Sequence, residues 1–169
     1  MRRNILWLVL TIAAALMQMT WLDAIRVQGV LPDVTLLLVL YFAVTDGEER
    51  AMITGTLGGL CQDVTGNAVL GHHILCNVVI AYAVGRIARR LITEHPAVKV
   101  GLILFATAAH GILFTFIQYV QTPHISAFDA ILSTVLPGAF YTAFVTPFAF
   151  YFLDRLFRVK AEGLQGGAP

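Results

Sequence analysis

Three groups of side chains in this 169-residue sequence could do chemistry. The first is His72, His73 and Cys76, with Cys61 nearby. His72 and Cys76 stand four apart and would share one helix face. A catalytic zinc site needs three protein ligands and an ordered outer shell, and no second spaced Cys or His pair is present. No metal is expected. The second is His110, which with Thr107 and Gln118 reads as a buried interhelical hydrogen-bonding group. The third is Asp63, which closes a glycine-rich stretch where its own helix dipole disfavours a negative charge. It needs a donor. Arg26 is the only basic residue on that side of the membrane in the topology set out below, so an Arg26–Asp63 ion pair is expected. An exposed position in the following loop and a carboxylate facing a partner protein are the alternatives. The sequence holds no nucleotide-binding loop, no Ser/His/Asp arrangement with supporting context and no zinc-protease motif. No enzyme activity and no cofactor are expected.

The elements that must position these groups are apolar. The chain is 58% hydrophobic and 12% charged, with a mean hydropathy of +0.79. A soluble domain carries about 25% charged residues. Six apolar stretches are apparent, at 5–22, 30–45, 51–64, 69–88, 98–120 and 128–153. If each crosses a bilayer, the gaps alternate between its two sides. Ten of the 11 Lys and Arg residues then fall on the side of the N-terminus, and only Arg26 falls on the other. Basic residues near span ends are held in the cytoplasm. The expected fold is therefore all-α: a single six-helix transmembrane domain over 1–160, with both termini cytoplasmic. Residues 161–169 read as a flexible cytoplasmic tail. The basic charge serves orientation and contact with membrane lipids, and no nucleic-acid partner is expected.

The stretches differ among themselves. The first follows Arg2 and Arg3 like a signal peptide, but no small-residue cleavage site follows its apolar core, so an uncleaved span is expected. Trp7 and Trp21 would anchor its two ends. Stretch 51–64, 14 residues, spans only about 21 Å as a helix. Two short spans or a re-entrant hairpin would fit 30–64. The charged connector Asp46–Arg50 favours spans, because a hairpin would bury it at membrane depth. Gly55 and Gly59 share one face of the third helix and predict a close helix crossing. Asp33, after Pro32, suits the start of the second helix, and Asp129, with Ser126 before it, the start of the sixth. Pro137 and Pro147 predict kinks in the last helix, the break falling at Pro137-Gly138.

One run of motifs carries a family resemblance. Leu31-Pro32-Asp33-Val34-Thr35-Leu36 opens the second span. Gly55, Gly59 and Gln62-Asp63 follow, then the turn Gly66-Asn67-Ala68-Val69-Leu70-Gly71, then His73 and Tyr82. Over about residues 31–90 this order and spacing resembles the MreD family of rod shape-determining membrane proteins. The resemblance implies an inner-membrane, non-catalytic component of the bacterial elongation machinery. It would act with the bitopic protein MreC to link cytoplasmic MreB filaments to the glycan polymerase RodA and its class B penicillin-binding partner. It singles out Pro32, Asp33, Gly55, Gly59, Asp63, Gly66, Gly71 and His73 as structural or partner-contact residues. It also implies the fold of the substrate-binding subunits of energy-coupling-factor transporters. A small-molecule-binding transporter subunit is therefore the alternative function. Such a subunit should show small residues four apart on its first helix for docking, and here Ala13, Ala14 and Ala15 are followed at that distance by Met17, Gln18 and Met19.

Overall fold

The structure, a computed structural model, describes residues 2–20, 33–65, 69–90, 96–121 and 131–162. Arg26, Pro32 and Gly66 lie outside the described residues, as do Trp21, Ser126 and Asp129. The described residues form six helices and no strand: α1 (Arg2–Thr20), α2 (Val34–Thr45), α3 (Glu48–Thr65), α4 (His72–Ala88), α5 (Pro96–Gln121) and α6 (Leu136–Glu162). A π-helical turn, Ile131–Val135, leads into α6.

Helix α2 is the centre of the bundle. It is apolar on every side, and its residues from Thr35 to Ala43 are all buried. A helix without a polar face must be covered all round, and α1, α3, α4, α5 and α6 all pack against it. The outer helices are arranged the other way. Phe105 and Phe116 on α5, and Phe140, Phe144, Phe148 and Tyr151 on α6, are exposed, Phe144 by 73%. A water-soluble protein rarely shows so large an apolar surface, and lipid tails cover it without penalty. Among the described residues, two segments are long and apolar enough to cross a membrane, Val98–Gln121 and Ile131–Leu156. Shorter apolar helices run over Asn4–Gln18, Val34–Thr45 and His72–Ala88.

Helices α3 and α4 form the tightest pair, and the reason is glycine. A Cβ on Gly59 would stand 2.7 Å from the backbone N and Cα of Ile74. One on Gly55 would stand 3.2 Å from the backbone of Asn77. At the other end of the pair, Gly85 of α4 lets Glu48 of α3 approach, with 2.7 Å between a Cβ there and the Glu48 Cα. The face predicted from Gly55 and Gly59 thus meets α4, and Gly85 completes it from the opposite helix.

The end of the bundle where α2 turns into α3 is charged. The turn passes through Gly47 at φ +94°, a conformation that glycine adopts freely. Arg50 donates to Asp46 at 2.8 Å and to Asn4 at 2.6 Å, and lies 5.4 Å over the Trp7 ring. Arg89 pairs with Glu48. Trp7 also donates through Nε1 to Thr54 at 2.8 Å, so it ties α1 to α3 as well as standing near a helix end. In α6 the irregularity lies just before the expected one. Pro137 cannot donate to the carbonyl four residues back, and the turn ahead of it, Ile131–Val135, widens to π geometry.

Candidate functional site

The opposite end of the bundle gathers polar residues around the N-termini of α2 and α4. The first backbone N–H groups of a helix have no partner within it and need acceptors. For α2 the acceptor is local. Asp33 is the N-cap, and its Oδ1 accepts from the Leu36 N–H at 2.9 Å. A second acceptor comes from α1: Gln18 Oε1 accepts from the Thr35 N–H at 2.8 Å and from the Thr35 hydroxyl at 2.9 Å.

For α4 the N-cap position is Gly71, at φ +97° and without a side chain to offer. Asp63, from the end of α3, takes over the task. Its Oδ2 accepts from the N–H groups of Gly71 at 2.8 Å and Ile74 at 3.3 Å. Its Oδ1 accepts from the His73 N–H at 2.9 Å and from His73 Nδ1 at 2.9 Å. An ionised carboxylate only accepts, so the proton of this last bond lies on His73 Nδ1. Asp63 is buried, 4% exposed, which excludes the exposed loop position. The charge that stands against the dipole of its own helix faces the favourable end of the next one. The expected partner, Arg26, lies outside the described residues.

Further bonds tie the same end together. His72 Nε2 lies 3.1 Å from the Phe114 carbonyl, and its ring stacks on Phe114 at 4.0 Å, which joins α4 to α5. Asn77 donates to Gln62 at 3.1 Å in the fully buried α3–α4 contact. Among the described residues, no three His, Cys, Asp or Glu side chains are placed to hold a metal ion. Cys61 and Cys76 are free thiols.

These groups border a cavity of about 330 Å³. Asp33 and Gln18 line it from the α2 side, Gln62 and His73 from the α3–α4 side, and Thr107, His110, Thr115 and Gln118 from α5. Gly138, Ala139 and Thr142 of α6 close it. His110 is 7% exposed and its Nε2 has no hydrogen-bond partner among the described residues. The structure therefore brings Asp33, His73 and His110 to one cavity and sets Asp63 behind His73. Gly55 and Gly59 lie in the helix crossing beneath, and Gly71 in the turn above. The amides Gln18 and Gln62 were not singled out as site residues, although Gln62 stands in the motif run beside Asp63. A further signal is their type: each is an amide in or beside an apolar stretch, where a polar side chain needs a reason.

No curated protein and no solved structure matches this sequence. The family model described as rod shape-determining protein MreD matches residues 1–156. That span takes in all the residues of this polar end and nearly the whole helical bundle, and with two helices fit to cross a bilayer it marks a membrane protein concerned with cell shape. The chain belongs to the MreD family of rod shape-determining proteins.

Proposed function

We propose that this protein is a non-catalytic inner-membrane component of the cell-wall elongation machinery that acts with MreC to maintain rod shape. Through MreC it is coupled to MreB filaments, RodA and a class B penicillin-binding protein. The family match over residues 1–156 carries this reading. The polar side chains support it, because their bonds serve helix caps and helix–helix contacts: Asp33, Gln18 and Asp63 cap, and His72 and Gln62 join neighbouring helices. The test is purification of the tagged chain from membranes that also contain MreC. Recovery of MreC at a fixed ratio is expected. Recovery of an ATP-hydrolysing coupling subunit in its place would favour the transporter alternative, which the cavity at the polar end keeps in view.

The same reading includes a topology of six crossings in one domain over 1–160, with both termini and the tail 161–169 in the cytoplasm. The sorting of 11 basic residues motivates it. Helix lengths are compatible. Helix α3, 18 residues, reaches about 27 Å, and the shorter α2 is enclosed by protein and does not have to match the lipid thickness. With Cys61 and Cys76 replaced, a cysteine at Glu49 should resist a membrane-impermeant maleimide in intact cells, whereas one at Asn67 should react. Labelling at position 49 would refute the orientation.

A further inference from the structure

We propose that a ridge of phenylalanines on the outward face of α6 is the interface of a parallel dimer of this chain. The ridge is Phe140, Phe144, Phe148 and Phe152, spaced four apart and all 61–73% exposed. With the exposed Tyr151 they fall within about 120° of the helix surface at 3.6 residues per turn. The rings of Phe144 and Phe148 lie side by side, 6.4 Å apart, so the ridge is continuous there. The smaller Val145 and Ala149 beside it are half-buried and form a groove. Lipid alone does not explain the choice of residue. Leu, Ile, Val and Phe enter hydrocarbon with similar ease, and the other outer helices meet it with aliphatic side chains, such as Val9 and Leu16 on α1, Ile53 and Leu60 on α3, and Leu75 and Val79 on α4. Those three helices contain no phenylalanine, whereas α6 contains six. Aromatic side chains are enriched where proteins meet one another.

A second copy fits this ridge in geometry and in area. Two copies enter the bilayer the same way up, so a two-fold axis along the membrane normal sets each α6 against its equivalent and uses the same patch on both. The ridge of one helix can then lie in the groove of the other, with rings meeting edge to face or offset. The five rings, about two-thirds exposed, present about 650 Å² per copy and about 1,300 Å² per pair, taking about 200 Å² for each side chain. A stable interface buries about 1,200–2,000 Å². In lipid the attraction comes from close packing, not from the removal of water. The inference rests on α6 crossing the membrane and is independent of the partnership with MreC.

The test is disulfide crosslinking of the full chain in native membranes, with Cys61 and Cys76 replaced and a lipid-soluble oxidant added. Phe144→Cys or Phe148→Cys should yield a covalent dimer of this chain, at least tenfold more than Val79→Cys on the outward face of α4. All three positions are exposed, so the fold should tolerate each change. A yield at positions 144 and 148 no greater than at 79 would show that lipid covers the ridge and would overturn the proposal. A crosslink from these positions to a different membrane protein in place of a second copy would assign the ridge to another helix and would also overturn it. Co-purification of two differently tagged copies of the parent chain is the second measurement, and it keeps both native cysteines. Replacing Phe140, Phe144 and Phe148 together by Leu keeps the face apolar and should reduce that co-purification at least tenfold while each copy still accumulates. Undiminished co-purification of the triple variant would contradict the proposal. If the triple variant fails to accumulate, the crosslinking result decides.

Discussion

Gly59→Leu is expected to abolish accumulation of the folded protein in membranes. The Cβ alone would press to 2.7 Å against the backbone of Ile74. Backbone cannot swing aside as a side chain can, so α3 and α4 would have to separate. In lipid, helix association depends on close van der Waals packing and interhelical hydrogen bonds, and separation would also stretch the Gln62–Asn77 bond one turn away. Overpacking a core typically costs about 1–3 kcal/mol, and a clash with backbone lies at or above the top of that range. Gly101→Leu is the matched control. It makes the same change on α5, where nothing stands within 4 Å of the new Cβ, and it should accumulate normally. Membrane fractionation with detergent size-exclusion chromatography compares the two. Equal, monodisperse yields of both variants would show that the α3–α4 crossing is not as close as described.

Asp63→Ala is expected to have the second largest effect. It removes the acceptor for the N–H groups of Gly71, His73 and Ile74 and for His73 Nδ1 in one change. Breaking one partner of a buried charged arrangement costs on the order of 3–5 kcal/mol. Lower protein levels and a lower melting temperature are expected, together with release of the turn at Gly71. Asp63→Asn should fall between Ala and the parent, because one oxygen can still accept. His73→Ala should be milder, since the backbone bonds to Asp63 remain. Normal levels for Asp63→Asn combined with loss of MreC on co-purification would instead assign the carboxylate to the partner contact. If Arg26 is also a partner of Asp63, a charge swap between the two should restore part of the lost protein.

The contrast between Asp33 and Asp63 shows what sequence can and cannot reveal here. Asp33 was legible because an N-cap acts over three residues, on Leu36. Asp63 was legible as a charge set against its own helix dipole and in need of a donor. Its donors were not, because they lie eight to 11 residues on, at the start of another helix whose cap is a glycine. Gly55 and Gly59 announced a close crossing by their spacing, whereas Gly85 stands alone beside a basic helix end and meets Glu48 only after α3 and α4 pair. The helices themselves follow from apolar runs and charge sorting. The cavity had no sequence signal of its own. Gln18, Gln62, His73 and His110 come from four helices and meet only through packing.

The central claim, that this protein maintains rod shape as part of the elongation machinery, is tested most directly by depleting it in the cells that carry it and measuring cell width and length. The account predicts that cells widen and round as the protein is lost. It also predicts that the parent sequence restores rods and that Gly59→Leu does not. Cells that remain rods of unchanged width after complete depletion would contradict it.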